Sequence, residues 1–265
     1  MPEGHTVALH ARRFASELGG RVLRASSPQG RFAGGAGLVD GRVLGGTEAH
    51  GKQLFLDVGD DRWLRVHLGL YGTWTFGEGP PPPPIGAVRL RLEADAGRGV
   101  WADLRGPTAC EVVTTPEKHA VQARLGADPL RRDADVPTLL TRIERSHAPI
   151  GTILMDQTVV AGIGNVYRAE SLFRARLSPF AEGRSIPRDD VEGLWADLRV
   201  LLRDGVRRER IVTTDAADRP RGRIRPEDAH YVYRRTGLPC RRCGTPVATR
   251  EVAGRNLFWC PSCQA

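Results

Sequence analysis

The C-terminal stretch 240–263 has the sequence CRRCGTPVATREVAGRNLFWCPSC and carries four of the five cysteines of the chain as two C-x-x-C pairs. Two such pairs can hold one tetrahedral metal ion, and the intervening residues 244–259 suit a β-hairpin folded around it. The alternative is a pair of disulfides in a secreted chain, but we expect no signal segment before the first helix, and Cys110 would be left over. Because four thiolates leave no open coordination position, we predict one structural zinc ion bound by Cys240, Cys243, Cys260 and Cys263.

Charge is distributed unevenly along the 265 residues. Residues 141–265 contain 22 arginines against 15 acidic residues, whereas residues 1–140 contain 17 basic and 16 acidic residues. A basic half that ends in a zinc hairpin indicates a polyanionic partner, most simply nucleic acid, because arginine binds phosphate oxygens and releases counterions. A solvated surface in an arginine-biased composition is the alternative. The chain has no apolar run of membrane-spanning length, so we expect a cytoplasmic protein without a membrane partner.

Hydrophobic periodicity predicts a mainly β first half. Residues 5–18 place apolar side chains on one helical stripe, which a Gly-Gly pair ends. From residue 21 to about 113, short alternating runs separated by Gly and Asp turns predict an antiparallel β-sandwich. The five prolines Pro80–Pro84 predict a stiff spacer between strands, with a ligand for a proline-recognition domain as the alternative.

The second half has a helical pattern. Residues 186–210 carry apolar residues at helical spacing, with Pro187 suited to the first turn. Residues 149–157 and 167–173 predict two further helices joined by a turn. Segment 213–230 contains RPRGRIRP and is too rich in Pro, Gly and Arg for a packed element, so a mobile loop is predicted.

The N-terminus is a candidate for amine chemistry. Besides Lys52 and Lys118, the chain has no lysine, and removal of Met1 would leave Pro2 with a free secondary amine beside the carboxyl of Glu3. An uncharged amine can attack an electrophilic sugar carbon, and an adjacent carboxyl can move the proton that this reaction requires. Taken alone, a Pro-Glu start is also a common solvated chain end.

Two glycine-containing turns are weaker candidates. Gly162-Ile-Gly-Asn165 opens a predicted helix, so its backbone amides and the Asn165 side chain can face a phosphate, although such glycine pairs are often only tight turns. The segment His67-Leu-Gly-Leu-Tyr-Gly presents Leu70 and Tyr71 at the end of a predicted strand. These two side chains suit either hairpin packing or a wedge into a base stack.

Taken together, these segments resemble the formamidopyrimidine-DNA glycosylase / endonuclease VIII family, and the similarity extends over essentially the whole chain. It rests on five motifs in order, which are Met1-Pro-Glu-Gly, His50-Gly-Lys52, the linker segment 124–130, the helix–two-turn–helix segment 154–170, and the four cysteines with Arg255.

The resemblance implies a role for each candidate residue. Pro2 would be the Schiff-base nucleophile, Glu3 the acid that aids sugar ring opening, and Lys52 a phosphate contact and proton donor for β-elimination. The residues that would contact the DNA backbone are Arg255, which would also assist δ-elimination, together with Asn165 and Arg124.

Leu70 and Tyr71 resemble the void-filling wedge of the endonuclease VIII branch and favour oxidised pyrimidines as substrates. The chain departs from the family pattern at three places. Thr6 stands where a second acidic residue is usual, Gly69 stands where a polar wedge residue is usual, and Arg105 lacks the aromatic partner of the purine-specific branch.

The sequence therefore predicts an α+β fold, with an N-terminal helix, an antiparallel β-sandwich, and a helical helix–two-turn–helix domain ending in a zinc-finger β-hairpin. The predicted function is that of a monomeric bifunctional DNA glycosylase and apurinic/apyrimidinic lyase of base excision repair. It would act on damaged double-stranded DNA at the bacterial nucleoid and require no cofactor beyond structural zinc. The alternatives are an abasic-site lyase with little glycosylase activity and a noncatalytic zinc-finger nucleic-acid-binding protein. The predicted domains are 1–125 (catalytic sandwich), 126–140 (linker), 141–230 (helix–two-turn–helix) and 231–265 (zinc finger).

Overall fold

The computed structural model describes residues 2–94 and 99–265 and has the predicted α+β architecture. It divides into two compact units, Met1–Arg124 (unit 1) and Leu125–Ala265 (unit 2). The finer division into four segments stays a prediction. Within the described ranges, none of the helices combines the length and the apolar character needed to cross a membrane.

Unit 1 is a β-sandwich preceded by one long helix. Its elements are α1 (Gly4–Leu18), β1 (Leu23–Ser26), α2 (Ala33–Val39), β2 (Gly46–His50), β3 (Gln53–Asp57), β4 (Arg62–His67), β5 (Thr73–Glu78), β6 (Val88–Ala94), β7 (Val100–Arg105), β8 (Ala109–Thr114) and α3 (Thr115–Gln122). The predicted first helix and sandwich are confirmed. The short helices α2 and α3 were not predicted, because α2 is glycine-rich and α3 spans only two turns.

Two four-stranded antiparallel sheets, in the orders β1-β6-β7-β5 and β2-β3-β4-β8, form the sandwich. Alternating strand residues such as Leu64 and Leu92 face a shared core, which the apolar stripe of α1 completes with Phe14 and Leu18. Each of these four side chains is buried. Removing any of them from water is worth roughly 1.5–3 kcal/mol, so α1 is fixed on the sandwich by its apolar face.

The proline-rich segment connects two strands that do not neighbour each other. Strands β5 and β6 both pair antiparallel with β7 and so run in the same direction. The connection 79–87 must therefore return along the whole length of β7. Nine residues in a polyproline conformation reach about 28 Å, which is more than a six-residue strand requires. The segment connects two strands as predicted, and its stiffness stays a prediction. Its carbonyls at Pro82 and Ile85 accept hydrogen bonds from Arg91 (2.9 Å) and Arg105 (3.1 Å).

Unit 2 is helical and ends in a two-stranded hairpin. Its elements are α4 (Val136–Glu144), α5 (Ile150–Ile153), α6 (Asn165–Arg174), α7 (Arg188–Arg208), β9 (Ala248–Val252) and β10 (Arg255–Trp259), with short 3₁₀ turns at Gly183–Ser185, Ala216–Asp218 and Pro226–Asp228. The predicted long helix is confirmed as α7, with Pro187 as its N-cap rather than inside its first turn.

Two predictions for unit 2 differ from the structure. The helix expected over 149–157 is a single turn, because Asp156 accepts a hydrogen bond from the Thr158 amide (2.8 Å) and bends the chain instead of continuing the helix. The predicted linker 126–140 contains the start of α4, where the Asp135 side chain caps the helix by accepting from the Thr138 amide (3.1 Å). The segment 213–230 is a loop as predicted, and its mobility stays a prediction.

Candidate functional site

Glu3 occupies the N-cap position of α1 but does not cap it through its side chain. Its backbone carbonyl accepts from the amides of Thr6 (2.9 Å) and Val7 (3.3 Å), which starts the helix. The residue is completely buried. Pro2, directly before it, is partly exposed.

The two lysines of the chain lie in different environments. Lys118 is buried on α3, where its Nζ lies 2.6 Å from Glu48 Oε2 and 4.0 Å from the centroid of the Trp63 ring. This ion pair and cation–π contact hold the Lys118 amine inside unit 1. Lys52 instead lies with Gly51 in the two-residue turn between β2 and β3, at the tip of a hairpin.

Lys52 influences a histidine across the sheet. His67 ends β4 and lies opposite Gln53 in the strand register. Burial lowers the pKa of His67, and the positive charges of Lys52 and then Arg65 lower it further. His67 is therefore neutral at neutral pH, and the turn that follows it begins beside the hairpin that carries Lys52.

A second neutral histidine lies in the first turn of α1. His5 is buried, and burial lowers its pKa to about 4, with the N-terminal ammonium and then His10 adding to the shift. Its Nε2 lies 3.3 Å from the hydroxyl of Thr6, the residue that replaces the usual acid. The sequence did not indicate His5 as special, because a single histidine has no spacing signal.

The turn between β4 and β5 exposes two apolar side chains. Leu70 is 41% and Tyr71 87% exposed. Gly69 precedes them with φ +67°, and a Cβ there would lie 1.9 Å from the Thr108 hydroxyl oxygen. A side chain at position 69 would be strained by this φ and would require the Thr108 side chain to shift.

Arg105 is fixed within its own sheet. The buried Asp103 accepts two hydrogen bonds from Arg91 (2.7 and 2.9 Å) and one from Arg105 (3.0 Å). Since the Arg105 guanidinium also binds the Ile85 carbonyl, it anchors the proline crossover. Arg124 lies at the end of unit 1 and is exposed.

In unit 2, Asn165 and Arg255 lie on neighbouring elements. Asn165 begins α6, and its Nδ2 donates to the carbonyl of Asn256 (2.9 Å), the residue after Arg255 at the start of β10. Arg168, which is almost fully buried, donates to Asn165 Oδ1 and to the Gly151 carbonyl (3.4 Å). The Asn165 side chain therefore ties the hairpin to the helix N-terminus.

A buried carboxylate ties the other side of α6 to the segment before the hairpin. Glu170 accepts from the backbone amides of Tyr231 (2.7 Å), Val232 (2.8 Å) and Tyr233 (2.7 Å), and from the Thr213 hydroxyl. Arg168 and Glu170 lie in the helix–two-turn–helix segment 154–170, but the sequence pattern predicted no role for either residue. Charged residues between the apolar residues of a helix that opens a predicted turn motif were the available signal.

The four cysteines meet as predicted. Their Sγ atoms all lie within 4.8 Å of one another, with 3.9 Å between Cys240 and Cys263 and 3.4 Å between Cys243 and Cys260. Zn–S bonds of about 2.3 Å in a tetrahedron require S–S separations of about 3.8 Å. The donor set fits a structural metal ion. The predicted hairpin is confirmed, with Ala253 and Gly254 as its turn.

Comparison with known domain families accounts for most of the chain. Residues 1–110 match the formamidopyrimidine-DNA glycosylase N-terminal domain, and residues 125–217 match the formamidopyrimidine-DNA glycosylase H2TH domain. Residues 237–265 match the zinc finger found in FPG and IleRS. The three matches follow one another in the order of the predicted motifs.

Similar proteins support the same assignment. The chain is 45% identical to Endonuclease 8 1 of Mycobacterium tuberculosis and 32% identical to the formamidopyrimidine-DNA glycosylase of Thermus thermophilus, covering 100% of this chain and 100% and 98% of the relatives.

Two solved structures share the fold. The crystal structure of the MutM (Fpg) protein from Thermus thermophilus superposes with a TM-score of 0.77 at 31% identity, covering 99% of this chain and 98% of the other. A structure of MutM in complex with carbocyclic 8-oxo-G containing DNA gives a TM-score of 0.82 at 24% identity, covering 99% of each chain, and shows the fold alone. The chain belongs to the formamidopyrimidine-DNA glycosylase / endonuclease VIII family, and it is a DNA glycosylase of base excision repair that acts on damaged bases.

Proposed function

We propose that this protein is a bifunctional DNA glycosylase and abasic-site lyase that removes oxidised pyrimidines through a Schiff base at Pro2. The observation that carries the proposal is the placement of the amines in unit 1. Lys118 is held by Glu48 beneath the Trp63 ring. The candidates for an attacking amine are then the N-terminus and Lys52.

The N-terminus is favoured over Lys52 by its neighbour. A Pro2 secondary amine is adjacent to the buried carboxyl of Glu3, which does not cap α1. In the proposed reaction, the Pro2 nitrogen attacks C1′ of the deoxyribose, the bond to the base breaks, and the Glu3 carboxyl protonates the ring oxygen as the sugar opens. The resulting imine makes the C2′ proton acidic. Loss of that proton expels the 3′ phosphate by β-elimination, and a second proton loss expels the 5′ phosphate by δ-elimination.

Residues of both units support this chemistry without forming the imine. Lys52 at its hairpin tip would contact a phosphate and supply a proton during elimination. Asn165 and Arg255 would bind phosphates next to the flipped nucleotide, and Arg124 would add a backbone contact. These phosphate contacts are charge-assisted and fix the DNA register, whereas they carry no base specificity.

The cysteine cluster is proposed to bind one zinc ion. Zinc would bind all four thiolates, fold the hairpin, and so fix Arg255 at the start of β10. It would supply no catalytic chemistry, because four sulfur ligands leave no position for water or substrate.

The preference for oxidised pyrimidines rests on the turn that carries Leu70 and Tyr71. An apolar residue and a ring, exposed on a turn that Gly69 shapes, suit the space left in a duplex by an extruded base. Arg105, by contrast, is bound to Asp103 and Ile85 within its sheet. This arrangement favours the wedge of the endonuclease VIII branch. We propose damaged double-stranded DNA as substrate and a monomer as the active form.

The test is borohydride trapping of the imine on three duplexes that contain an oxidised pyrimidine, 8-oxoguanine or an abasic site. Wild type is compared with a form that retains Met1, with Pro2→Gly and with Lys52→Gln. Retained Met1 converts the Pro2 nitrogen into a tertiary amide, so trapping should disappear on all three duplexes. Pro2→Gly keeps a free N-terminal amine and should retain part of the trapping.

If the Met1-retaining form is still trapped and Lys52→Gln is the only variant that is not, Lys52 is the nucleophile. That result would overturn the Pro2 assignment. Trapping of wild type on the abasic duplex alone would reduce the function to that of an abasic-site lyase. Stronger trapping on 8-oxoguanine than on the oxidised pyrimidine would contradict the proposed substrate class.

A further inference from the structure

The segment between α7 and the zinc hairpin carries charge of a single sign at its tip. Residues 219–225, RPRGRIR, contain four arginines and no acidic residue. The two flanking 3₁₀ turns, Ala216–Asp218 and Pro226–Asp228, contain the neighbouring acids. The tip is exposed, apart from the partly buried Arg219 and Ile224.

Hydrogen bonds close the base of this loop. The Thr213 amide donates to the Ala229 carbonyl (2.8 Å), and the Thr214 hydroxyl donates to the Asp228 carbonyl (2.7 Å). Thr213 also binds Glu170 of α6, as does the Tyr231 amide. The tip therefore projects from a fixed stem and not from a free chain end.

Two acidic residues of the stem pair with groups other than the tip arginines. Asp215 pairs with Arg174 (2.8 Å) and Arg242 (3.4 Å), and Asp218 accepts from the Tyr231 hydroxyl (2.6 Å). Because Asp215 and Asp218 already bind these partners, they do not neutralise the arginines of the tip. The loop thus separates its charges, with acids at the base and arginines at the end.

A further arginine joins the tip from α7. Arg210, just past the end of that helix, donates to the carbonyl of Ile224 (3.2 Å), between Arg223 and Arg225. Within the described part of the chain, Arg221 and Arg223 make no hydrogen bond or ion pair, and Arg225 has only Glu227 at 4.0 Å. Arginines this near in sequence repel one another, and an anion bound beside them would offset that repulsion.

We propose that Arg210, Arg221, Arg223 and Arg225 form a phosphate-binding arm for the DNA backbone. The stem attaches to α6 at Glu170, five residues from Asn165, which is about 8 Å along a helix axis. Phosphates neighbouring one bound at the start of α6 would be within reach of long arginine side chains. Arginine binds phosphate oxygens through its planar fork, and each contact releases counterions. This inference rests on the DNA-directed function proposed above.

The experiment measures binding of the full-length protein to a short undamaged duplex at several salt concentrations. The variant is Arg221→Gln with Arg223→Gln and Arg225→Gln. Its control, Arg132→Gln with Arg145→Gln and Arg188→Gln, removes the same charge from positions elsewhere in unit 2. A third variant replaces the three loop arginines by lysine and keeps the charge.

Three lost phosphate contacts should reduce the slope of log affinity against log salt by about 2.7. Between about 50 and about 200 mM salt, wild type should then lose about 40-fold more affinity than the glutamine variant. The control should keep the wild-type slope, and the lysine variant should keep most of it.

Equal slopes for the loop variant, the control and wild type would overturn the proposal and would favour an acidic protein partner for the arm. A change in excision rate at saturating DNA without a change in slope would also overturn it, because the loop would then contact the extruded base. Binding to undamaged DNA requires no imine chemistry. If the wild type binds this DNA with the expected salt dependence but forms no imine with damaged DNA, only the proposed function is contradicted.

Discussion

The two units hold their candidate residues by different means. In unit 1, Glu3 and Lys52 lie at the ends of regular elements, an N-cap and a hairpin tip, over an apolar core. In unit 2, Asn165 and Arg255 are held by buried polar side chains, with Arg168 and Glu170 on the same helix, and by the cysteine cluster.

This difference predicts different sensitivities. An element end over an apolar core keeps its geometry when a single polar neighbour changes, because the backbone ladder and the core still determine it. A site held by a buried polar network loses its geometry when one member is removed, since the remaining groups are left buried without partners. The following experiments test this contrast.

The largest effect is expected from Cys243→Ser. Loss of one thiolate should release the metal, unfold the hairpin and abolish DNA incision, while unit 1 stays folded. Metal content per chain, incision, and hydrogen exchange of unit 1 amides measure the three effects. Cys110→Ser is the control, because burial raises the pKa of that thiol to about 12 and keeps it inert. Full incision by metal-free protein would show that Arg255 needs no metal for its position.

Glu3→Gln should slow the reaction in unit 1 without changing the fold of this unit. Removal of the acid should reduce base excision by about 10²–10⁴-fold, while trapping on abasic DNA persists because the aldehyde there is already available. Glu17→Gln, on the outer side of the same helix with Arg13 as partner, should leave both reactions unchanged. Equal losses of excision and abasic trapping would argue that Glu3 only supports the fold.

Glu170→Gln tests the polar network of unit 2 directly. The substituted amide cannot accept all the bonds that three backbone amides and a hydroxyl now donate, so we expect unit 2 to lose about 2–5 kcal/mol of stability. Hydrogen exchange of the backbone amides in α6 and in the hairpin measures this loss of stability. Glu182→Gln, which affects only surface pairs with Arg184 and His147, should cost less than about 1 kcal/mol. Equal effects of the two substitutions would remove the contrast between the units.

The wedge of unit 1 should have a smaller and substrate-dependent effect. Leu70→Ala with Tyr71→Ala should slow excision from damaged duplex by about 10- to 100-fold, because unstacking a base step costs a few kcal/mol. Cleavage of a single-stranded abasic substrate should change little. Val22→Ala with Ile85→Ala, two other exposed apolar residues, is the control. If duplex and single-stranded substrates lose activity equally, the turn does not act as a wedge.

Periodicity predicted the elements with long apolar patterns, and spacing predicted the cysteine cluster. Helix α1, helix α7 and the strands of the sandwich each bury a regular stripe that a sequence displays directly. The two C-x-x-C pairs are local, so their meeting needs only one hairpin.

The sequence did not predict features that depend on distant partners. The loss of the helix expected over 149–157 depends on the Asp156 side chain competing for a backbone amide. The roles of Lys118 and Glu170 depend on partners at Glu48 and at residues 231–233, which only the tertiary fold brings together. A pattern along one chain contains no signal for such pairs.

The smallest effect concerns the pH dependence of unit 1 and His5. Burial lowers the pKa of His5 to about 4, whereas the unfolded chain binds a proton near 6.5. The unfolded state therefore binds more protons between these values, and stability decreases as pH falls through this window. At about pH 5.5 the loss from His5 should be about 1 kcal/mol. His5→Asn should flatten the profile of hydrogen exchange in α1 against pH, and the exposed His119→Asn should leave it unchanged. If hydrogen exchange in α1 of the wild type does not change between pH 6.5 and 4, His5 is not held neutral. Solvent would then reach the first turn of α1.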